Sequence, residues 1–138
     1  MVKNCPECNV EITGKYRNFK TFCSRLCYES NIKKFHLQQW LHGEVVGHKN
    51  TPNKDIKDFV RLYLLNKYNY SCAKCGFSGV NLVSGKTVLQ IHHIDGNSEN
   101  STVDNLQVLC PNCHAMTETY MGLNRGNSKR NNRYGVVE

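Results

Sequence analysis

The chain has 138 residues and a formal net charge of +7, enough for one ordinary domain or two very small ones. It begins without the apolar segment of a signal peptide and contains no run of about 18 apolar residues, so a secreted or membrane-spanning protein is not expected. Two zinc sites of four thiolates each would reduce the charge to about +3, so charge alone does not indicate a nucleic-acid partner.

The eight cysteines fall into four close pairs. In a cytosolic protein, whose thiols stay reduced, such pairs bind metal more often than they form disulfides. Because the chain shows no signal peptide or membrane span, we expect a cytoplasmic protein, located in the bacterial host cytosol if a phage encodes it. The pairs predict two structural Zn²⁺ ions. The first set of ligands is Cys5, Cys8, Cys23 and Cys27; the second is Cys72, Cys75, Cys110 and Cys113.

Residues 1–42 are predicted to be a small zinc-ribbon-like or treble-clef-like module with a helix. Thr13-Gly14-Lys15 favours a hairpin turn between the first two cysteine pairs. Ser24 can cap a helix that extends to His42 and ends at Gly43. Because so short a segment has almost no core, the metal would hold it together.

Residues 43–52 are interpreted as a linker, and Thr51-Pro52 as the start of the next helix. Over residues 53–67 the apolar positions have helical spacing: Ile56, Phe59, Val60, Tyr63 and Leu64. This pattern predicts an amphipathic helix packed on the second zinc module.

The second module, within residues 53–121, is predicted to follow the order strand, turn, strand, helix. The strands are expected at 88–94 and 106–109, and the last helix from Cys110 to about Met121. Residues 122–138 are rich in Asn, Arg, Gly and Ser, which indicates a basic, loosely ordered tail. The fold class is therefore small, metal-stabilised α+β.

Residues 72–119 resemble the HNH endonucleases, the ββα-metal nuclease family, in their four-cysteine zinc-bound form. The motif that carries the resemblance is Cys72-x2-Cys75, His92-His93-Ile94, Asn105-Leu106-x2-Leu109-Cys110-x2-Cys113-His114. The resemblance extends to free-standing phage and homing-type enzymes. It implies a ββα-metal nuclease domain and a metal-dependent DNA endonuclease that hydrolyses phosphodiester bonds.

The same resemblance implies roles for individual residues. His93 would be the general base, and His92 and His114 would bind one divalent cation. That ion is expected to be Mg²⁺ or Mn²⁺, although imidazole ligands also suit Ni²⁺, Co²⁺ and Zn²⁺. Asn105 would brace the loop and orient His93. In a regular strand His92 and His93 face opposite sides, so they can share one site only if the strand ends, bends or bulges there.

Double-stranded DNA is the expected partner. Basic residues in two regions could neutralise phosphates; they are Arg25, Lys33, Lys34, Arg125, Lys129 and Arg130. A single site of this kind cuts one strand, so a monomer would be a nickase, whereas a homodimer could cut both strands. The oligomeric state is left open.

Two alternatives from other functional classes remain at this point. The first is a non-catalytic zinc-dependent DNA-binding protein, for which two zinc modules and a basic tail would suffice. The second is a zinc-scaffolded protein-interaction module, because apolar residues of the first helix point to two sides. The set of His92, His93, Asn105 and His114 argues against the first, since pure binding needs none of these groups, and the second rests on the two-sided helix alone.

Overall fold

The computed structural model describes residues 3–12 and 21–123. The chain divides between Val45 and Val46 into two compact units. The predicted turn at Thr13-Gly14-Lys15 lies outside the described residues, as do residues 124–138 of the predicted tail.

The first unit begins with a tight turn around Cys5. The Cys5 N–H donates to the carbonyl of Val10, and the Cys5 carbonyl accepts from Asn9 N–H, both at 2.8 Å. Helix α1 then spans Arg25–Leu41. The hydroxyl of Ser24 accepts a hydrogen bond from the Cys27 N–H at 3.2 Å, which is the predicted N-cap. Gly43, with φ +75°, follows the C-cap residue, so the predicted end of this helix is also confirmed.

Helix α2 spans Asp58–Lys67 and starts later than predicted. Thr51 and Pro52 do not begin a helix: the carbonyl of Thr51 accepts from Lys54 N–H at 3.0 Å, which closes a turn. Pro favours the second position of such turns as well as the first turn of a helix, and here the turn prevails. The chain then pairs back on itself through a bridge between His48 and Ile56.

Strands β1 (Gln90–His93) and β2 (Leu106–Leu109) form an antiparallel two-stranded sheet. Both predicted strands are present, and β1 is shorter than expected. In the register, His92 pairs with Gln107 and His93 with Leu106. The pairing is regular through His93, where β1 ends.

Helix α3 is limited to Pro111–Ala115, so its predicted extension to Met121 is wrong. Both the N–H and the hydroxyl of Thr117 donate to the carbonyl of His114, at 3.1 and 2.8 Å. A threonine hydroxyl that takes a helix carbonyl in this way competes with the helical hydrogen-bond pattern. The helix therefore ends at Ala115, one residue after His114.

The core of the second unit lies between α2 and the sheet. Its buried apolar side chains come from α2, from β2 and from the residue preceding β1: Val60, Leu64, Leu65, Leu89, Leu106, Val108 and Leu109. The predicted apolar face of α2 is thus confirmed at Val60 and Leu64. The result is a small α+β fold with two clusters of cysteines suited to metal binding. Within residues 3–12 and 21–123, no helix has the length and apolarity to cross a lipid bilayer.

Candidate functional site

The eight cysteines form two clusters of four, as their pairing predicted. In each cluster the four sulfur atoms lie within 4.8 Å of one another; the clusters are Cys5, Cys8, Cys23, Cys27 and Cys72, Cys75, Cys110, Cys113. In the first cluster, the Sγ atoms of Cys8, Cys23 and Cys27 are 3.4 to 3.7 Å apart. In the second, those of Cys75 and Cys110 are 3.8 Å apart.

These separations fit a tetrahedral metal. With metal–sulfur bonds of about 2.3 Å, the sulfurs of a tetrahedral zinc site are about 3.8 Å apart. Without a cation, Cys8 and Cys27 disfavour ionisation of the Cys23 thiol and raise its pKa to about 12. Cys75 and Cys110 do the same to Cys113, whose pKa also rises to about 12. Both clusters could hold a metal ion, and a divalent cation would favour the thiolates that bind it.

His92 and His114 lie side by side on one face of the sheet. Their ring centroids are 5.1 Å apart and the rings meet edge to face. His92 comes from β1, and His114 from the first turn of α3. Burial lowers the pKa of His92 to about 4, with a further contribution from the charge of His114. Burial also lowers the pKa of His114. Both imidazoles are therefore neutral near pH 7, which is the state that binds a metal.

His93 occupies the other face of β1, where strand alternation places it with Ile91 and opposite Leu106. Burial lowers its pKa from the usual 6.5, and the nearby Asp95 carboxylate opposes that shift. Among the described residues, its Nε2 is one of the buried side-chain atoms without a hydrogen-bond partner. No bulge interrupts the β1–β2 pairing; instead the strand ends at His93 and the chain turns at Gly96, with φ +72°.

Asn105 ties this turn to the start of β2. Its Oδ1 accepts from the Asp95 N–H at 3.0 Å, and its Nδ2 donates to Asp95 Oδ1 and to the Asn100 carbonyl at 2.8 and 2.7 Å. Asp95 also accepts from Asn97 N–H and from the Asn100 side chain. The buried Asn105 amide thus fixes the loop that directly follows His93.

Two predicted phosphate contacts are engaged in ion pairs within the first unit. Arg25 Nε lies 2.7 Å from Glu29 Oε1, one helical turn away. Lys34 Nζ binds Glu7 Oε1, which also accepts from the Ser30 hydroxyl. Lys33 is exposed. The predicted contacts Arg125, Lys129 and Arg130 lie outside the described residues.

Comparison with known proteins agrees with this arrangement of cysteines and histidines. Residues 72–119 match the family model described as HNH endonuclease. They are an HNH endonuclease domain. The first cluster of cysteines and helix α1 lie outside the matched residues.

Two curated relatives align with the chain. The H-N-H endonuclease F-TflIV of Escherichia phage T5 is 42% identical over 57 residues, which cover 41% of this chain and 24% of that protein. The Zorya protein ZorE of Escherichia coli is 37% identical over 70 residues, covering 51% of this chain and 17% of that protein. The chain thus spans a quarter or less of these relatives. No solved structure matches the chain.

Three residues of the HNH domain's histidine site were not singled out by sequence reasoning. Gln90 contacts His114, with Oε1 2.6 Å from Nδ1. Tyr120 meets the ring of His114 edge to face, with centroids 5.3 Å apart. Asn100 supports Asp95. Only Gln90 had a signal, because it precedes His92 by two residues and therefore shares its face of the strand.

Proposed function

We propose that the protein is a metal-dependent endonuclease that hydrolyses phosphodiester bonds of double-stranded DNA. The observation that carries this proposal is the pair of neutral imidazoles, His92 and His114, 5.1 Å apart in an HNH domain that also contains His93. The similarity to a phage H-N-H endonuclease supports the same activity.

His93 acts as the general base. Hydrolysis needs a water molecule that loses a proton as it attacks phosphorus, and a neutral imidazole can accept that proton. The lowered pKa of His93 keeps it neutral at physiological pH. Its Nε2 is buried and has no hydrogen-bond partner among the described residues, so the nitrogen is unoccupied and the attacking water would have to reach it when DNA binds. Asn105 acts through His93 as a positioning residue, because it holds the loop on which the strand ends.

His92 and His114 hold the catalytic cation. The donor set fits: two neutral imidazoles leave several coordination positions for water and phosphate. A divalent ion at these residues would supply positive charge to the phosphate and to the departing 3′ oxygen. Mg²⁺ or Mn²⁺ is the expected ion, and imidazole ligands also accommodate Ni²⁺, Co²⁺ or Zn²⁺.

The two cysteine clusters each bind a structural Zn²⁺. All four ligands in each cluster are sulfurs, which leaves no position for substrate in a tetrahedral site. The second zinc would join Cys110 and Cys113 at the start of α3 to Cys72 and Cys75, and would thereby fix the position of His114. The reducing cytosol of a bacterium suits this chemistry because it keeps the thiols available for metal.

The protein nicks one strand when it acts as a monomer, since one histidine site cuts one bond; a homodimer would cut both. Phosphates are contacted by basic residues of the first unit and the C-terminal segment: Arg25, Lys33, Lys34, Arg125, Lys129 and Arg130. Lys33 is the principal contact of the first unit, because Arg25 and Lys34 are partly neutralised by acidic neighbours.

The activity is tested by incubating supercoiled plasmid with zinc-loaded protein in EDTA, Mg²⁺ or Mn²⁺. Wild type should produce open circles with added metal. His93→Ala should lower the rate by at least about 10²-fold, in the range expected for loss of a general base. His42→Ala is the matched control: this exposed histidine belongs to the first unit, and its loss should preserve cleavage.

The possible products separate the alternatives. Linear plasmid formed without an open-circle intermediate would indicate a dimer. Cleavage by His93→Ala at the wild-type rate would refute the assignment of the base. If no metal supports cleavage of plasmid or of random-sequence duplexes, yet the protein shifts DNA in a salt-sensitive way, the protein is a zinc-dependent DNA-binding protein instead.

A further inference from the structure

Gln90 makes a short, direct contact with a proposed metal ligand. Its Oε1 lies 2.6 Å from Nδ1 of His114, although the two residues are 24 positions apart in the chain. Gln90 opens β1 on the same face as His92, so one strand supplies both groups that approach His114. The contact joins the strand to helix α3 beside the His92–His114 pair.

The contact determines which imidazole nitrogen is available. An amide oxygen can only accept a hydrogen bond, so Nδ1 of His114 must carry the proton and donate it. A neutral imidazole has one proton, and Nε2 therefore keeps its lone pair. Metal-binding histidines commonly donate their second ring nitrogen to a carbonyl or carboxylate in this way, which fixes the tautomer and raises the basicity of the ligating nitrogen.

Two ring contacts complete the fixation of His114. His92 and Tyr120 meet its ring edge to face, at centroid distances of 5.1 and 5.3 Å. These contacts restrict the tilt of the ring, but neither selects a tautomer. Among the contacts of His114 described here, the hydrogen bond to Gln90 is the one that distinguishes Nδ1 from Nε2.

We infer that Gln90 is a positioning residue that holds His114 in its Nδ1-protonated tautomer and so prepares Nε2 to bind a divalent cation. The inference rests on the proposed function, since it assumes that His114 is a ligand of the catalytic cation. Gln90 lies in β1 but is not part of the motif His92, His93, Asn105, His114.

The test uses full-length, zinc-loaded protein at pH 8, where His92 and His114, whose pKa values are lowered by burial, are neutral. Gln90→Met removes the acceptor with little change in side-chain size, and Gln90→Glu keeps an acceptor. Long-range ¹H–¹⁵N spectra report the tautomer of His114, and Mn²⁺ titration followed by electron paramagnetic resonance reports affinity. Mn²⁺ is suitable because it prefers oxygen and nitrogen ligands and does not compete for the thiolate sites. Gln38→Met, at an exposed position of α1, is the control.

Wild type and Gln90→Glu should show protonated Nδ1, whereas Gln90→Met should shift His114 toward the Nε2-protonated tautomer. The affinity of Gln90→Met for Mn²⁺ should fall by about 10- to 100-fold, the range expected when a metal-binding histidine loses its hydrogen-bond partner. Gln90→Glu and Gln38→Met should bind Mn²⁺ at least as tightly as wild type. Gln90→Leu replaces Gln90→Met if the latter loses thermal stability or zinc.

The outcomes separate this inference from the proposed function. If His114→Ala abolishes Mn²⁺ binding but Gln90→Met changes neither tautomer nor affinity, the role of Gln90 is refuted and the metal site stands. If His114→Ala leaves Mn²⁺ binding unchanged, the cation is not bound at His114. In that case the proposed metal site and the role of Gln90 fail together.

Discussion

The two clusters of cysteines begin with the same backbone turn but are embedded in different surroundings. The Cys5 N–H donates a hydrogen bond to the carbonyl of Val10, five residues later. The Cys72 N–H likewise donates to the carbonyl of Phe77, also five residues later. In both turns the carbonyl of the same cysteine accepts a hydrogen bond from the N–H four residues later, which belongs to Asn9 in the first turn and to Gly76 in the second. Asn9 and Gly76 both have a positive φ. One local metal-binding turn therefore occurs twice.

The helices that carry the second half of each cluster differ in their caps. In the first unit a serine hydroxyl caps the helix, because Ser24 Oγ accepts from Cys27 N–H. In the second, the cysteine sulfur is itself the cap: Cys110 Sγ accepts from Cys113 N–H at 3.4 Å. Metal binding and the start of α3 thus depend on the same atom, whereas in the first unit they depend on neighbouring residues.

The amount of core differs more. Among the described residues, the buried apolar side chains of the first unit are Cys5 and Trp40, whereas those of the second include residues of α2 and β2 as well as Leu89. Because the first unit has so little core, a metal bound at its cysteines would have to supply most of its folding free energy. A cluster attached to a core can instead support a strand that presents histidines on both of its faces.

The largest expected effect is on the stability of each unit when its cluster loses the second cysteine of the turn, Cys8 or Cys75. Binding of structural zinc contributes about 10–16 kcal/mol in small zinc modules, and the first unit has little else. Cys8→Ser should therefore remove the protection of the α1 amides from hydrogen exchange. Cys75→Ser should reduce, but not abolish, protection in β2, where Val108 and Leu109 are fully buried. Protected α1 amides in Cys8→Ser would show that the first unit does not depend on its metal.

The second effect tests the core directly. Leu64 is fully buried in the second unit, whereas Leu26 on α1 is 77% exposed. Leu64→Ala should lower the free energy of unfolding by about 2–5 kcal/mol, because it leaves a cavity. Leu26→Ala should change it by less than about 0.5 kcal/mol. Urea denaturation of zinc-loaded protein measures both; equal costs would contradict the difference in packing.

The third effect concerns the caps. Ser24→Ala should destabilise the first unit by about 0.5–2 kcal/mol, because the N–H of Cys27 loses its acceptor. Ser24→Asp keeps an acceptor and should remain close to wild type. Thermal melts followed at the α1 circular-dichroism signal provide the comparison. If alanine and aspartate behave alike, the metal rather than the serine fixes the start of the helix.

Much of the fold was predictable because its signals are local. The cysteine pairs, the cap at Ser24 and the spacing of Val60 and Leu64 each act within a few residues. The errors lie where a competing local interaction prevailed: the turn closed by Thr51 and Lys54, and the hydroxyl of Thr117 on the His114 carbonyl. The apolar residues of α1 were expected to point to two sides, and one of them, Leu26, is exposed, since periodicity does not reveal which helix face packs against a neighbour.

The site was less predictable than the fold. The family motif identifies His92, His93, Asn105 and His114, but roles cannot be read from their order alone. The contact of Gln90 with His114 depends on how α3 crosses the sheet, which no local pattern specifies. The same holds for Lys34, whose partner Glu7 is 27 positions away.

The smallest effect tests whether the first unit contacts DNA. Each phosphate contact contributes about 0.9 to the slope of log affinity against log salt. Lys33→Gln should therefore lower that slope by about 0.9 in duplex binding. Lys34→Gln should lower it less, since Glu7 already neutralises much of the Lys34 charge. Glu7→Gln should increase the slope, because it releases Lys34. If none of the three variants alters the slope, α1 does not contact phosphates, and DNA binding would have to come from the second unit or the C-terminal segment.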